Sequence, residues 1–480
     1  MQQAMLIADF YKLAHREQYP AGTEIVYSTW TPRISRIPGI NEVVVFGLQG
    51  FIKEFLIEFF GRNFFSRPKQ DVVADYSRIV SNTLGVSSPP TAHIEALHDL
   101  GHLPLKIKAL PEGMLCKIRV PYMTIQNTDP RFFWLTNFLE TVLSSYLWVP
   151  ATSATIARQY RLLLNEYAEK TGGDLGFVQF QGHDFSMRGM GSLEAAYRSG
   201  AGHLLSFSGT DTIPAISYLE DYYNASVERE LVGTSIPATE HSVMCAYGDD
   251  SISFKRLISE IYPSGFVSVV SDTWDLWDVI GRIIPQYRDD ILERDGRLVV
   301  RPDSGDPVKI ICGDPNGQTH LERIGVVEAL WNIFGGTTTE KGFKVLDSHI
   351  GVIYGDSISL ERCANICAGL ASKGFASTNM VFGIGSFTYQ YNTRDTFGFA
   401  MKSTLVQING EEFPIFKAPK TDDGTKRSQK GAVAVINGQC VDGLLLQEAG
   451  YAGDELRTVF LNGKLLVDES LKDIRARLSR

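Results

Sequence analysis

Hydrophobic positions in the middle of the chain form short runs that alternate with amphipathic, helix-like segments. One such run is FVSVV at 266–270, and the helical spacing of LWDVIGRII follows it. Continuous runs of Val, Ile, Leu and Phe are typical of strands buried on both faces, and such strands form parallel sheets. The segments with this pattern are 177–185, 203–211, 230–241, 266–275, 297–306, 350–359 and 380–390. This succession of β-then-α units predicts a closed or nearly closed barrel.

The two ends of the chain show a different pattern. Residues 104–128 alternate around a PEG turn, which predicts a small antiparallel sheet, and 152–173 has the spacing of a long helix that ends at glycine. After the last unit, a hairpin is predicted to turn at Asn409–Gly410. We therefore predict an α/β fold with an incomplete or irregular (β/α) barrel and an α+β domain built from both chain termini. The predicted bounds are 151–399 for the barrel and 1–150 with 400–480 for the α+β domain.

The composition narrows the class of protein. The chain has 480 residues, 44% of them hydrophobic and 21% charged, and a formal net charge of −9. This charge argues against a broad basic face for nucleic acid. The absence of a run of ~18 apolar residues argues against a membrane span. The segment MQQAMLIADFYK lacks the features of a secretory signal, and the six cysteines include no CxxC pair. We expect a cytoplasmic protein.

Candidate chemistry collects just after the predicted strands. In a parallel barrel the carboxyl ends of the strands meet at one rim, where active sites form. The positions concerned are His183, Asp184, Gly209, Thr210, Asp211, Glu240, His241, Asp272, Asp275, Arg301, Asp303, Gly355, Asp356, Gly383, Gly385 and Arg394. Any single acid among them can equally be a helix N-cap, and this alternative stays open for each. Their recurrence from unit to unit favours a site at the rim.

Phosphate binding is one chemistry that this rim suits. The guanidinium groups of Arg188, Arg301 and Arg394 can each bind two phosphate oxygens. The GIGS segment at 383–386 offers backbone N–H groups. The carboxylates could hold ribose hydroxyls or Mg²⁺. Basic residues after the barrel, which are either solvated surface or further phosphate ligands, are Lys402, Lys417 and Lys426.

Two further groups of residues have a spacing that could suit a metal. They are Cys363 with Cys367, and the set His93, His98 and His102. Buried cysteines on one helix face and isolated histidines more often serve packing, and no matching set of ligands accompanies either group. The chain also lacks the GxSxG, Walker A and HExxH motifs.

Taken together, the motifs resemble the type II phosphoribosyltransferases, the family of nicotinamide, nicotinate and quinolinate phosphoribosyltransferases. The resemblance runs through nearly the whole chain in the family's order. Its motifs are DFYKLAHREQYP, GLQGFI, HDFSMRG, SGTDT, SIPATEHS, VSVVSDTWD, RPDSGDP, YGDSIS, FGIGS with the later TRD, and KRSQKG.

This resemblance implies a reaction, cofactors and an assembly. The expected reaction transfers a phosphoribosyl group from phosphoribosyl pyrophosphate to nicotinamide, giving nicotinamide mononucleotide and pyrophosphate in NAD salvage. The resemblance also implies Mg²⁺, optional coupling to ATP hydrolysis through a phosphorylated histidine, and a homodimer with active sites at the subunit interface. Two alternatives stay open: a nicotinate phosphoribosyltransferase and a non-catalytic nucleotide-binding barrel.

Carried over motif by motif, the resemblance also assigns residues. The expected catalytic residues are His241, as the phosphorylated histidine, Asp272, near Mg²⁺ and pyrophosphate, and Asp303. The residues expected at nicotinamide are Tyr11, Phe185, Asp211 and Arg301. The residues expected at the phosphoribosyl group, pyrophosphate or ATP are Asp9, Arg33, Arg188, Ser235, Asp303, Gly355, Asp356, Gly385, Arg394, Lys402, Lys417 and Lys426. The partner subunit would supply Asp9 and Tyr11.

Asp211 carries the expected choice of substrate. A carboxylate facing the carboxamide of nicotinamide makes a charge-assisted hydrogen bond, whereas it repels the carboxylate of nicotinate. The chain departs from the family's pattern at Ser386 and Phe387, where glycines are usual, and at Ala400, where a serine is usual.

The surroundings of His241 suggest how it would act. Pro237 suits a first helical turn, so we expect His241 within about a turn of a helix N-terminus. There the helix dipole disfavours an imidazolium and favours an anion, so a neutral, nucleophilic imidazole is expected. Glu240 is either a group that orients His241 or a solvated first-turn acid.

Overall fold

The computed structural model describes residues 3–355, 357–419, 421, 427–450 and 453–479. The chain forms two compact units. The first, here called the terminal unit, comprises Met1–Thr155, Tyr218–Ala225 and Asn392–Arg480. The second, here called the barrel unit, comprises Ile156–Ser217 and Ser226–Tyr391. The domain bounds given above stay a prediction.

Strands and helices alternate through the barrel unit. The strands of the chain are β1 Thr23–Thr31, β2 Glu42–Val44, β3 Leu105–Ala109, β4 Leu115–Lys117, β5 Met123–Asn127, β6 Gly182–Asp184, β7 Gly209–Thr210, β8 Ser264–Val270, β9 Asp295–Arg301, β10 Gly336–Thr338, β11 Lys344–Leu346, β12 Ile350–Tyr354, β13 Met380–Ile384, β14 Ala400–Ile408, β15 Glu411–Pro414, β16 Ala432–Ile436, β17 Gln439–Leu444, β18 Arg457–Leu461 and β19 Lys464–Leu465. The longer α-helices are Lys69–Leu84, Ala92–Leu100, Glu140–Thr171, Leu193–His203, Ile213–Tyr223, His241–Tyr247, Asp250–Arg256, Arg288–Glu293, Pro307–Cys312, His320–Phe334, Leu360–Ser372 and Leu471–Leu478. A mainly π-helical segment, Phe51–Phe59, follows the short turn Leu48–Gly50.

A parallel sheet forms the centre of the barrel unit. Its strand order is β7-β6-β13-β12-β9-β8, and each neighbouring pair is parallel. All five residues of β12 are buried, as the continuous apolar run predicts. Single parallel bridges join Thr234 to Gly209 of β7 and Ala238 to Ser268 of β8. The segment 234–238 therefore lies between the two edge strands, and the sheet curls into an irregular barrel.

The predicted strands of the first three units are shorter than expected. Residues 177–185 and 203–211 form strands only at Gly182–Asp184 and Gly209–Thr210, and Val178–Gln181 is helical. A short apolar run does not separate a buried strand from a buried helical turn, which is why the pattern misled there. In the segment 230–241 only isolated bridges form, because Pro237 has no N–H to donate to a ladder.

An antiparallel sheet organises the terminal unit. Its order, β15-β14-β1-β5-β3-β18-β19, places strands from the first 130 residues beside strands from the last 80. The predicted hairpin is present, with Asn409 and Gly410 at φ 51° and 80° between β14 and β15. Trp30 and Phe399 stack at 5.5 Å in the core beneath this sheet. Both ends of the sequence therefore contribute to one core.

The long helix begins earlier than the sequence suggests. It spans Glu140–Thr171 and contains Pro150, whereas the pattern predicted a start at 152. Buried residues on both sides of the proline, such as Leu147 and Ala151, anchor the helix and outweigh the lost hydrogen bond. Among the described residues, no helix is long and apolar enough to cross a membrane.

The two candidate metal groups are packed into the structure. His93 lies edge-on to Trp134 at 4.9 Å, and burial lowers its pKa to about 4. Cys363 and Cys367 are buried on the helix Leu360–Ser372. In the part of the chain that the structure describes, no group of three or more His, Cys, Asp or Glu residues could hold a metal ion.

Candidate functional site

The predicted rim of the barrel unit is assembled at the carboxyl ends of its strands. Asp184 ends β6, Asp211 follows β7, Asp272 follows β8, Arg301 ends β9 and Gly385 follows β13. Since all these strands are parallel, the residues share one edge of the sheet. Gly355 follows β12 on the same edge, whereas Asp356 lies outside the described residues.

Asp211 is held by two neighbours on the same oxygen. Nε2 of His183 lies 2.9 Å from Oδ1 of Asp211, and the Ser235 hydroxyl donates to that atom at 2.6 Å. Burial acts to raise the pKa of Asp211, but these two hydrogen bonds and the charges of His183 and Arg301 outweigh it, so the pKa is lowered. Asp211 therefore presents an ionised carboxylate with one oxygen already occupied.

Phe185 lies beside this carboxylate cluster. Its ring centroid is 4.7 Å from that of His183. A Cβ on Gly383 would come within 2.6 Å of the Phe185 ring and 2.8 Å of the Gly355 backbone, so only glycine leaves room for the ring there. The half-buried Phe185 thus offers an aromatic face at the rim.

Asp272 and Asp303 come together between β8 and β9. Oδ2 of Asp272 accepts from the backbone N–H groups of Asp303 and Ser304, at 2.8 and 2.7 Å, and from the Ser304 hydroxyl at 2.5 Å. Oδ1 of Asp272 is buried and has no hydrogen-bond partner among the described residues. One oxygen thus fixes the loop, while the other is a buried acceptor that needs a donor or a cation.

Arg301 lies among these carboxylates. Its Nη2 donates to the Thr239 carbonyl at 2.6 Å. Burial lowers the pKa of Arg301, while the charges of Asp303, Asp211 and Asp272 act to raise it. Fixed at the end of a strand, the guanidinium places a positive charge at the centre of an acidic rim.

His241 is the first residue of the helix His241–Tyr247, as predicted, and Glu240 is the N-cap. Pro237 precedes the helix and takes no part in its first turn, because Ala238 is held in a bridge to β8. Nδ1 of His241 contacts the Thr273 hydroxyl at 3.2 Å, and Nε2 lies 3.9 Å from Asp303. The Glu240 carboxylate accepts from Ser242. The observed contacts of the imidazole are thus with the loops after β8 and β9.

The remaining barrel residues are exposed or partly exposed. Arg188 is exposed in the 3-10 turn Met187–Gly189, and Gly385 precedes the helical turn Ser386–Tyr389. At the position where the family usually has glycine, Phe387 is 56% exposed and stacks on Tyr391 at 5.6 Å. The departure therefore adds an aromatic surface beside the loop that follows β13.

The other predicted residues lie in the terminal unit. Asp9 accepts from the Thr141 hydroxyl at 2.7 Å, and Tyr11 is 59% exposed. Arg394 pairs with Asp395 at 3.3 Å. Lys417 lies after β15, and Lys426 is outside the described residues.

Arg33 and Lys402 line one cavity of about 230 Å³ in the terminal unit. Nε of Arg33 donates to the Gly398 carbonyl at 3.0 Å. Burial lowers the pKa of Lys402, and the positive charges of Arg33, Lys417 and Arg394 act in the same direction. Ala400, the second departure from the family's pattern, lines the same cavity. This cavity therefore brings together cations from segments near both ends of the chain.

Two family models match the chain. The model of the nicotinate phosphoribosyltransferase family matches residues 180–464, more than half of the sequence. The chain belongs to this family. A second model, of the N-terminal domain of nicotinamide phosphoribosyltransferase, matches residues 3–107. The resemblance inferred from the motifs is confirmed.

Curated relatives of this phosphoribosyltransferase cover almost its whole length. A nicotinamide phosphoribosyltransferase of Acinetobacter baylyi is 52% identical over 98% of this chain and 96% of its own length. A protein of the same name from Mycoplasma pneumoniae is 37% identical over 89% of this chain and 94% of its own length. Another from Xanthomonas campestris is 32% identical over 98% of this chain and 97% of its own length.

Solved structures share the fold of this phosphoribosyltransferase. A nicotinate-nucleotide pyrophosphorylase from Pyrococcus furiosus has a TM-score of 0.57 and 15% identity, covering 99% of this chain and 94% of that one. Human nicotinic acid phosphoribosyltransferase has a TM-score of 0.50 and 15% identity, and the match covers 98% of this chain and 91% of the human one. At this identity the likeness concerns the fold, and it confirms the predicted fold class.

Sequence reasoning missed two features of the phosphoribosyltransferase site. His183 was noticed at the rim but given no role, although it contacts Asp211 directly. Ser235 is predicted at the phosphoribosyl group, and this stays a prediction; the hydrogen bond from its hydroxyl to Asp211 was not foreseen. The available signal for His183 was its position in HDF, two residues before the predicted ring-binding Phe185.

Proposed function

We propose that this phosphoribosyltransferase uses nicotinamide as its acceptor and forms nicotinamide mononucleotide and pyrophosphate from phosphoribosyl pyrophosphate. The observation that carries the proposal is the orientation of Asp211. Both of its hydrogen bonds fall on Oδ1, and no described residue donates to Oδ2. Oδ2 is thus left to accept from the carboxamide N–H₂ of nicotinamide, and it would repel the carboxylate of nicotinate.

The transfer itself needs positioning and charge stabilisation. The pyridine nitrogen attacks C1 of the ribose as the bond from C1 to the pyrophosphate oxygen breaks, and the bonding electrons leave with pyrophosphate. Phe185 would hold the ring by stacking. The acidic rim, including Asp303, would favour the positive charge that develops on the ribose, and Arg301 and Arg188 would favour the departing negative charge.

Asp272 would hold Mg²⁺ together with oxygens of pyrophosphate. The buried, unpartnered Oδ1 of Asp272 supports this assignment. Within the described residues no protein-only set of three ligands exists, so phosphate and water would have to complete the coordination. When bound, the ion neutralises charge on the leaving group.

His241 is proposed to serve the coupling to ATP. The imidazole would attack the terminal phosphorus of ATP, forming an N–P bond while the bond to ADP breaks. Its place at the start of a helix supports this step, since the helix dipole favours the anionic phosphoryl group that the transfer places there. The contact with Thr273 would orient the ring.

A homodimer is proposed in which Asp9 and Tyr11 of the partner subunit complete the site. The exposure of Tyr11 supports this, because a large aromatic side chain in solvent is free to enter a neighbouring molecule. A cytoplasmic location is also proposed. All six cysteines are unpaired, as is usual in a reducing compartment.

Nicotinate is the competing acceptor, because the family model that covers the barrel is named for it. The purified protein should be incubated with phosphoribosyl pyrophosphate, Mg²⁺ and either nicotinamide or nicotinate, with and without ATP, and the products separated by chromatography. We expect nicotinamide mononucleotide as the main product. A preference for nicotinate would overturn the Asp211 argument, and no mononucleotide with either base would favour a non-catalytic nucleotide-binding barrel.

A further inference from the structure

A pair of buried side chains connects β7 to the helical turn that follows β13, and the proposed mechanism gives neither of them a role. His203 is completely buried, and Tyr389 is 2% exposed. Nδ1 of His203 lies 2.7 Å from the Tyr389 hydroxyl, and Nε2 lies 3.0 Å from the carbonyl oxygen of Gly209. This pair of side chains is here called the Tyr389–His203 link.

The hydrogen bonds of the link fix which nitrogen of His203 carries a proton. Burial lowers the pKa of His203 despite the nearby charge of Asp184, so the ring is neutral and has one N–H. A carbonyl oxygen can only accept, so Nε2 carries the proton and donates it to Gly209. Nδ1 is then the acceptor, and the Tyr389 hydroxyl donates to it. Both ring nitrogens thus have partners, in a single arrangement of donors and acceptors.

At one end, the link reaches the residues that hold Asp211. Gly209 lies in β7, two residues before Asp211, and pairs with His183 of β6. A Cβ on Gly209 would come within 2.7 Å of Nδ1 of His183, so the imidazole that contacts Asp211 lies directly against this backbone. Because His203 holds the Gly209 carbonyl, it restricts the movement of both His183 and Asp211.

At the other end, the link reaches two loops that are predicted to bind the phosphoribosyl group. Tyr389 is the last residue of the helical turn after β13, and its backbone N–H donates to the Gly385 carbonyl at 3.3 Å. Oε1 of the next residue, Gln390, accepts from the Gly191 N–H at 2.8 Å. This second bond joins the turn to the loop that carries Arg188.

We propose that Tyr389 and His203 are positioning residues of this phosphoribosyltransferase, and that their link sets the spacing between Asp211 and Gly385. A reaction between two bound molecules depends on how precisely their reacting atoms are placed. Buried side chains with satisfied hydrogen bonds hold segments from different strands at a fixed spacing. The inference rests on the proposed function, because it takes nicotinamide at Asp211 and the phosphoribosyl group at Gly385.

Tyr389→Phe removes the donor of the link and keeps the ring with its packing. It deprives the buried Nδ1 of His203 of this donor, so Gly209 and Asp211 lose their fixed position. We expect the KM for nicotinamide to rise by about tenfold, and the ratio of kcat/KM for nicotinamide to kcat/KM for nicotinate to fall by a similar factor. A loss of stability alone would reduce the active fraction and hence kcat, and it would leave KM and the ratio unchanged.

His203→Gln is the conservative variant, because an amide supplies one N–H donor and one acceptor in place of Nε2 and Nδ1. We expect its KM for nicotinamide to stay within about threefold of the wild type, whereas His203→Leu should raise KM at least as much as Tyr389→Phe. Tyr287→Phe is the matched control, since Tyr287 is another buried tyrosine of the barrel unit and its hydroxyl contacts Ser251. An unchanged KM in Tyr389→Phe would overturn the proposal, and so would an equal rise in Tyr287→Phe.

The ¹⁵N chemical shifts of His203 test the link in the wild type itself. The protein is labelled with ¹⁵N-histidine, and the His203 signal is identified by its absence in His203→Gln. We expect a proton on Nε2 and a hydrogen-bonded, unprotonated Nδ1 near neutral pH, whereas a proton on Nδ1 would overturn the link. Since this measurement needs no substrate, the link can fail while the wild type forms nicotinamide mononucleotide, and the proposed function can fail while the link stands.

Discussion

Asp211 keeps its negative charge because two side chains hold one of its oxygens. Burial acts to raise the pKa of this carboxyl, and without His183 and Ser235 only the charge of Arg301 would oppose it. The SGTDT motif predicts a role for Asp211 in choosing the substrate, and this role stays a prediction, whereas the contacts that hold Asp211 could not be predicted. They join β6 and the loop after β7 with the segment near 235. This proximity is set by the order of the strands, which local sequence does not encode.

Removing the His183 donor should therefore change how the site responds to acid. In His183→Ala the pKa of Asp211 rises, so the carboxylate protonates at a higher pH and nicotinamide binding is lost earlier as the pH falls. We expect the KM for nicotinamide to rise several-fold. When steady-state rates are measured between about pH 4 and 8, we also expect kcat/KM for nicotinamide to fall at a higher pH than in the wild type. His183→Gln keeps an N–H donor and should restore part of the loss.

His349→Ala provides the comparison for this variant. His349 also contacts an aspartate, Asp347, at 2.7 Å, but at the amino end of β12, opposite to the rim. A pH profile that is the same in His183→Ala, His349→Ala and the wild type would show that His183 has no influence on Asp211.

At the scale of elements, the helix His241–Tyr247 places the proposed phosphate-accepting His241 at its N-terminus. The sequence predicted a helix N-terminus within about a turn of this residue, with Pro237 in the first turn, because proline is common in first turns. The bridge between Ala238 and β8 keeps the chain extended to Thr239, and the helix starts only afterwards. The contact of Ala238 with β8, about 30 residues away in sequence, thus sets where the helix starts. The residues next to His241 alone do not predict this start.

His241→Ala should separate ATP coupling from the transfer itself. We expect the variant to lose the stimulation of nicotinamide mononucleotide formation by ATP while it keeps some transfer without ATP, because the imidazole is proposed only as the phosphate acceptor. Initial rates with and without ATP, together with ³¹P detection of a phosphorylated histidine, measure the effect. His203→Ala is unsuitable as a control because His203 is buried, so His349→Ala serves again. Undiminished ATP stimulation in His241→Ala would remove His241 from the proposed mechanism.

The architecture of the whole molecule was accessible from sequence, whereas its strand order was not. Apolar runs that alternate with helical segments predicted the parallel barrel. Strand patterns near both chain termini predicted a shared sheet, and β14 pairs with β1 in the structure. Order and register depend on pairings between segments hundreds of residues apart, for which the periodicity carries no information.

The ratio of kcat/KM for nicotinamide to kcat/KM for nicotinate tests the central claim most directly, measured in the wild type and in Asp211→Asn. The asparagine removes the repulsion of nicotinate and weakens the bond to the carboxamide, so we predict that the ratio falls by at least about tenfold. Asp289→Asn, at a side chain that is 88% exposed on the helix Arg288–Glu293, should leave the ratio unchanged. A ratio in Asp211→Asn equal to that of the wild type would contradict the account.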